Sequence, residues 1–161
     1  MPTTENQNQF PVSTYKDLSK EDQELLDAAE AVMKNSYSPY SHFKVGSALR
    51  TIDGEIISGT NFENAAYGSA ICAERSAILR ANAMGKREFT TIAIIAKPEQ
   101  GSVSDPVAPC GSCRQVIFES SQISDTNIKV IMSNTAKDKI IISHINTLLP
   151  LAFGPKDLGI N

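Results

Sequence analysis

The apolar positions of this chain change period several times, and each change marks an element. Leu25, Ala28, Ala29, Val32 and Met33 recur at helical spacing and leave Glu24, Asp27, Glu30 and Lys34 on the opposite side. Ser19 and Asp22 form a capping pattern at the helix start, and residues 35–41, with Pro39, end it. Phe43, Val45, Ser47 and Leu49 then alternate with Lys44, Gly46, Ala48 and Arg50, which predicts a strand with small residues on one face. Asp53-Gly54 predicts a hairpin turn, with residues 55–59 as the returning strand. Residues 60–71 show no period. Residues 72–84 predict a second helix with Ala77, Ile78, Ala81 and Met84 inward and Gly85 at its C-terminal cap position. Residues 91–96 are continuously apolar, as expected for a strand covered on both faces. A Gly, Ser and Pro-rich loop over 97–109 leads to a helix over 111–120 that buries Val116 and Ile117. Residues 128–132 predict another buried strand, 139–142 a short fifth, and 144–149 one or two helical turns.

A hairpin followed by alternating helix and strand predicts an α/β fold, with a mixed sheet covered by helices on both sides. No internal repeat or second domain is visible. Residues 1–17, rich in Thr, Asn and Gln with two prolines, predict a flexible N-terminal tail, and residues 18–161 a single domain.

Composition narrows the function classes. At 161 residues, 41% hydrophobic and 20% charged, the chain can bury one substantial core without staples. A formal charge of −3 offers no basic field for a phosphate backbone, so no nucleic-acid partner is expected. No apolar run is long enough to span a bilayer, and residues 1–9 lack the basic start and apolar core of a secretory signal. No membrane association is expected. Three cysteines cannot form a complete disulfide framework, which points to a reducing cytoplasm.

The cysteines carry the candidate chemistry. All three fall in two short pieces, Cys72-Ala73-Glu74-Arg75 and Pro109-Cys110-Gly111-Ser112-Cys113-Arg114-Gln115. A structural zinc site closes with four protein ligands, whereas a catalytic one keeps three and leaves a position open. Cys110 and Cys113 stand three apart at a helix start, and Cys72 starts the other helix, so both helix dipoles favour thiolates there. Three thiolates and a divalent zinc leave a formal charge of −1, which weakens the ion as a Lewis acid. Arg75, one turn beyond Cys72, can donate to thiolate sulfur and offset that charge, and Arg114 is a second candidate. Glu74, two positions after Cys72, can face the same small site as an acid/base and not as a ligand. Two alternatives remain open on these residues alone. Cys110 and Cys113 could be a thioredoxin-like redox pair, although that leaves Cys72 and Glu74 unexplained. A structural zinc could take His42 or His144 as its fourth ligand.

Together these two pieces resemble the small, three-cysteine cytidine deaminases that act on free nucleosides. Three further stretches match that family in the same order. They are Ser38-Pro39-Tyr40-Ser41-His42-Phe43-Lys44-Val45-Gly46, Asn61-Phe62-Glu63-Asn64-Ala65-Ala66-Tyr67, and Leu148-Leu149-Pro150-Leu151-Ala152-Phe153-Gly154-Pro155. The similarity covers residues from about 20 to 158.

The resemblance implies a three-layer α/β/α sandwich with a mixed five-stranded sheet. It implies one Zn²⁺ per subunit on Cys72, Cys110 and Cys113, with Glu74 moving protons while cytidine or 2′-deoxycytidine loses its C4 amino group as ammonia. Arg75 matches the family arginine that bonds the ligand thiolates. Phe43 matches the ring packed on the base, and Asn61 and Glu63 the pair that holds the ribose 3′-hydroxyl. Ala65, Tyr67 and Phe153 match positions that reach a neighbouring subunit's site, which implies a homotetramer. The role implied is pyrimidine salvage in the cytoplasm.

Overall fold

In a computed structural model, the structure describes residues 10–160. Among these residues, six strands form one sheet and four α-helices pack on it. In chain order they are β1 (Val12–Ser13), α1 (Lys20–Met33), β2 (Phe43–Thr51), β3 (Ile56–Thr60), α2 (Ala73–Ala83), β4 (Phe89–Pro98), α3 (Gly111–Ile123), β5 (Lys129–Ser133), β6 (Ile140–His144) and α4 (Ile145–Leu148). The strand order is β1-β6-β5-β4-β2-β3, with β4 and β5 parallel and the other neighbours antiparallel.

The alternation along β4 explains the three layers. Ile92 and Ile94 face one side, where Ala77, Ala81, Ile117, Val130, Ile145 and Leu148 join them in a core under α2, α3 and α4. Ala93 and Ile95 face the other, against Leu25, Leu26 and Ala29 of α1. Both faces are covered, so a strand here can be apolar throughout. On α1 the buried stripe is Leu25, Leu26, Ala29 and Met33. Ala28 and Val32, expected inside, are half-buried at its margin. Ser19 caps this helix through its hydroxyl, which accepts from the Asp22 amide at 3.2 Å. Met84, also expected inside, is exposed at the end of α2, and Gly85 follows with φ of 77°, as a C-terminal cap requires.

The sheet has six strands where five were expected. The additional one is β1, which pairs Val12 with Ile141 and Ser13 with Ile140 at the β6 edge. Of the segment read as a flexible tail, residues 1–9 lie outside the described residues. Residues 10–17 contain β1 and a single 3-10 turn, Tyr15–Asp17. The Tyr15 hydroxyl donates to Asp27 at 2.6 Å, and Lys137 pairs with Asp27 and Glu30 beneath the Tyr15 ring. These partners lie more than a hundred positions away along the chain, or across α1, so two residues in a polar stretch gave no periodic signal.

The topology brings two helix starts to one edge of the sheet. β3 and β4 both run antiparallel to β2, so both end where β2 begins: Thr60 lies opposite Gly46, and Pro98 opposite Phe43. α2 follows β3 and α3 follows β4, so their N-termini open on that edge. Gly59 lets α2 sit close, because a Cβ there would meet the Ala77 amide nitrogen at 2.4 Å.

Candidate active site

Cys72 is the N-cap residue of α2, and Cys110 that of α3. At an N-cap the chain is extended while the next amides lack intrahelical partners, so a sulfur there faces the positive end of the helix; Cys110 takes a cap hydrogen bond and Cys72 takes none. The Cys110 sulfur accepts from the Cys113 amide at 3.5 Å. The three Sγ atoms lie within 4.8 Å of one another, and Cys72 and Cys110 are 3.9 Å apart. Tetrahedral zinc with Zn–S bonds of about 2.3 Å spaces its sulfurs by roughly 3.8 Å, so the donor set fits this ion with one position left over. Neither His42 nor His144 belongs to this group, among the described residues. His42 is exposed and paired with Glu99, and His144 is the N-cap of α4.

The electrostatics of the three thiols are unequal. Cys72 is held down to about 5, first by a hydrogen bond from Cys113, then by the hydrogen bond and charge of Arg75. Cys113 is pushed up, because it keeps the proton it donates to Cys72 and because it is buried. The Arg75 Nη2 donates to the Cys72 sulfur and to the Ala70 carbonyl, each at 3.4 Å. Arg114, the second and less well placed candidate by spacing, bonds carbonyls and not the thiolates. Its Nε donates to the Pro109 carbonyl and its Nη1 to the Leu148 carbonyl, both at 2.9 Å, and it ties the start of α3 to the end of α4.

Glu74 occupies the second position of α2 and is only 4% exposed. Burial raises its pKa, its own amide opposes the rise, and the Cys72 thiolate adds to it. The carboxyl is thus buried beside Cys72 and Cys113, with its proton held more firmly than that of a free glutamate.

One cavity of about 430 Å³ contains Cys72, Glu74 and Cys110 together with Phe43, Asn61 and Glu63. That volume suits a small molecule. A larger cleft of about 680 Å³ lies between α3 and the C-terminal segment and holds none of the cysteines.

Asn61 and Glu63 are held by the start of β2 and the turn before it. The Asn61 side chain accepts from the Val45 amide and donates to the Phe43 carbonyl, both at 2.9 Å, and leaves one N–H free of these partners. Its oxygen also accepts from the Ser36 hydroxyl. Glu63 accepts from the amides of Tyr40 and Ser41 at 2.9 and 3.2 Å and from the Ser41 hydroxyl. A spare donor beside a carboxylate is the complement of a hydroxyl group, which both accepts and donates.

Ala65, Tyr67 and Phe153 do not line this cavity. All three are exposed, Tyr67 at 77% and Phe153 at 59%. Tyr67 stands edge-on to Tyr40 over an adjoining cleft, and the Phe153 carbonyl accepts from Gln115 at 2.8 Å. Sequence reasoning missed Ser36, Ser41 and Gln115 as partners of these residues. Ser41 stands within a stretch that carries the resemblance, which was the available signal.

Comparison with known proteins agrees with this geometry. Residues 19–130 match the family described as the cytidine and deoxycytidylate deaminase zinc-binding region. A cytidine deaminase of Halalkalibacterium halodurans is 40% identical over 137 residues, covering 85% of this chain and 97% of the relative. One of Sporosarcina psychrophila is 39% identical over 137 residues, covering 85% and 94%. The crystal structure of cytidine deaminase from Burkholderia pseudomallei superposes with a TM-score of 0.73 at 39% identity, covering 84% of this chain and all of that one. The α/β/α sandwich and the trio of thiols at two helix starts are therefore those of a zinc-dependent deaminase, and this chain belongs to the cytidine and deoxycytidylate deaminase family.

Proposed function

We propose that this protein hydrolyses cytidine and 2′-deoxycytidine at C4, releasing ammonia and leaving uridine or 2′-deoxyuridine. The observation that carries this reading is the single cavity lined by Cys72 and Cys110 of the thiol trio, the buried Glu74 and the Asn61–Glu63 pair.

Cys72, Cys110 and Cys113 would hold the zinc, which would supply a Lewis acid that brings the pKa of water toward neutrality. Glu74 takes the proton that the attacking water gives up and passes it to N3 of the base, then carries the proton of the new C4 hydroxyl to the departing amino nitrogen, so that ammonia leaves as the C4 carbonyl forms. Its burial supports that task, because a carboxyl whose pKa is raised is a stronger base toward the water than a free carboxylate. Arg75 and the two helix starts offset the negative charge of three thiolates. Phe43 packs against the base. Asn61 donates to the 3′-hydroxyl and Glu63 accepts from it, so a 3′-phosphate is refused by charge and by space. Free nucleosides are therefore preferred over polynucleotides, in keeping with the formal charge of −3.

The working unit is a homotetramer in which Ala65, Tyr67 and Phe153 reach a neighbouring site, and their exposure supports this. The enzyme serves pyrimidine salvage in the cytoplasm. No helix among the described residues is long and apolar enough to cross a membrane. Residues 18–161 act as one catalytic domain.

The test compares ammonia release from cytidine, 2′-deoxycytidine, cytidine 3′-phosphate and a cytosine-containing single-stranded oligonucleotide. Turnover of the two nucleosides alone is expected. Equal turnover of the 3′-phosphate or the oligonucleotide contradicts the assignment of Asn61 and Glu63, and no turnover of either nucleoside by zinc-loaded protein contradicts the activity.

A further inference from the structure

The turn before β2 contains a residue that joins two walls of the cavity. The Ser41 hydroxyl donates to Glu63 and accepts from the Phe43 amide at 3.1 Å, so one oxygen spaces the carboxylate from the aromatic wall. The Ser41 amide adds a second contact to Glu63 at 3.2 Å, and the Tyr40 amide a third at 2.9 Å. A carboxylate offers about four acceptor positions. Three are taken by this one turn, and the capacity that remains suits a single hydroxyl.

The turn is itself fastened. His42 has φ of 56°, a left-handed conformation that a residue with a Cβ adopts only when its surroundings enforce it. Three bonds do so. The His42 amide donates to the Ser38 carbonyl at 3.0 Å, and the Glu99 amide to the His42 carbonyl at 2.7 Å. The third is the polar contact between His42 Nδ1 and Glu99 Oε2 at 2.8 Å. Glu99 follows β4 directly, so the end of that strand holds the turn through both backbone and side chain.

We propose that Ser41, in a turn fastened by the His42–Glu99 contacts, is a positioning residue that aims Glu63 at the sugar. This rests on the reading that Glu63 takes a sugar hydroxyl. The acidity of Glu63 agrees with it. Its pKa is lowered, first by the Ser41 hydroxyl, then by the Tyr40 and Ser41 amides and the nearby His42, which keeps the group an acceptor.

The experiment measures kcat and KM for cytidine and 3′-deoxycytidine in the zinc-loaded wild type, Ser41→Ala, Ser41→Thr, Glu99→Gln and Glu63→Gln. Ser41→Ala should raise the KM for cytidine about three- to tenfold, the worth of one exposed hydrogen bond to a charged group. Its kcat should stay within about twofold, and its KM for 3′-deoxycytidine should not change. Ser41→Thr should restore the wild-type KM, and Glu99→Gln should give a smaller rise with the same substrate selectivity. An equal rise on both substrates, or none on either, while Glu63→Gln does discriminate between them, overturns the role of Ser41 alone. If Glu63→Gln fails to discriminate, the sugar-hydroxyl reading falls and this proposal falls with it.

Discussion

Replacing Arg75 with glutamine isolates the charge problem of a three-thiolate centre. The guanidinium nitrogen stands 3.4 Å from the Cys72 sulfur. At an effective dielectric of about 20, a unit pair at that distance is worth about 5 kcal/mol. Arg75 is half-buried, and the glutamine amide restores a neutral donor, so water and the amide recover part of this. What remains is the difference between a charged and a neutral hydrogen bond, about 1–1.5 kcal/mol. That corresponds to a loss of about five- to tenfold in kcat/KM. Zinc content should stay near one equivalent. The arginine favours ionised thiols but repels the cation, and the two effects act in opposite senses on affinity. Cytidine turnover, followed by absorbance with metal analysis on the same sample, reads both quantities. Arg75→Lys, which keeps the charge without the planar fork, should fall between. Full zinc with wild-type kcat/KM in Arg75→Gln refutes the charge-offset argument.

Other expectations follow from the same geometry. Cys110→Ala should lose zinc and lower the melting temperature, because a site shared by two helices couples metal binding to folding; stoichiometric zinc in that variant contradicts the ligand set. Zinc affinity should fall at least tenfold per unit as pH drops below about 7, since Cys113 keeps its proton in the metal-free protein and must release it. Cys72, held at about 5, is ionised near pH 7 and adds to that slope only as the pH approaches 5. Competition with a chelator at several pH values measures this, and a flat profile argues against the assignment. Gly59→Ala should cost about 1–3 kcal/mol, because its Cβ would meet the Ala77 nitrogen at 2.4 Å and push α2 off β3. Thermal unfolding reports the loss, and activity should fall with it, since Cys72 and Glu74 ride on the start of α2.

What could be read from the sequence was whatever short-range physics specifies. The apolar run over 91–96 became β4 with both faces buried, because alternate residues entered two cores. Asp53-Gly54 closed the β2–β3 hairpin. The cysteine spacing foretold the thiol trio, since an N-cap and the position three beyond it share one side of a helix start. Features that depend on distant partners were not readable. β1 exists through its pairing with β6, and Arg114 found two carbonyls instead of sulfur. Ser41 has no special composition, and its importance comes from Glu63, which lies 22 positions along the chain.

The central claim is that the thiol-held metal and the buried Glu74 act as one proton-transferring centre. Glu74→Gln tests it most directly, with zinc content and ammonia release from cytidine measured on the same preparation. The account predicts one equivalent of zinc with activity reduced by about 10²- to 10⁴-fold, the worth of a positioned acid/base group. Wild-type turnover by the zinc-loaded variant would contradict it.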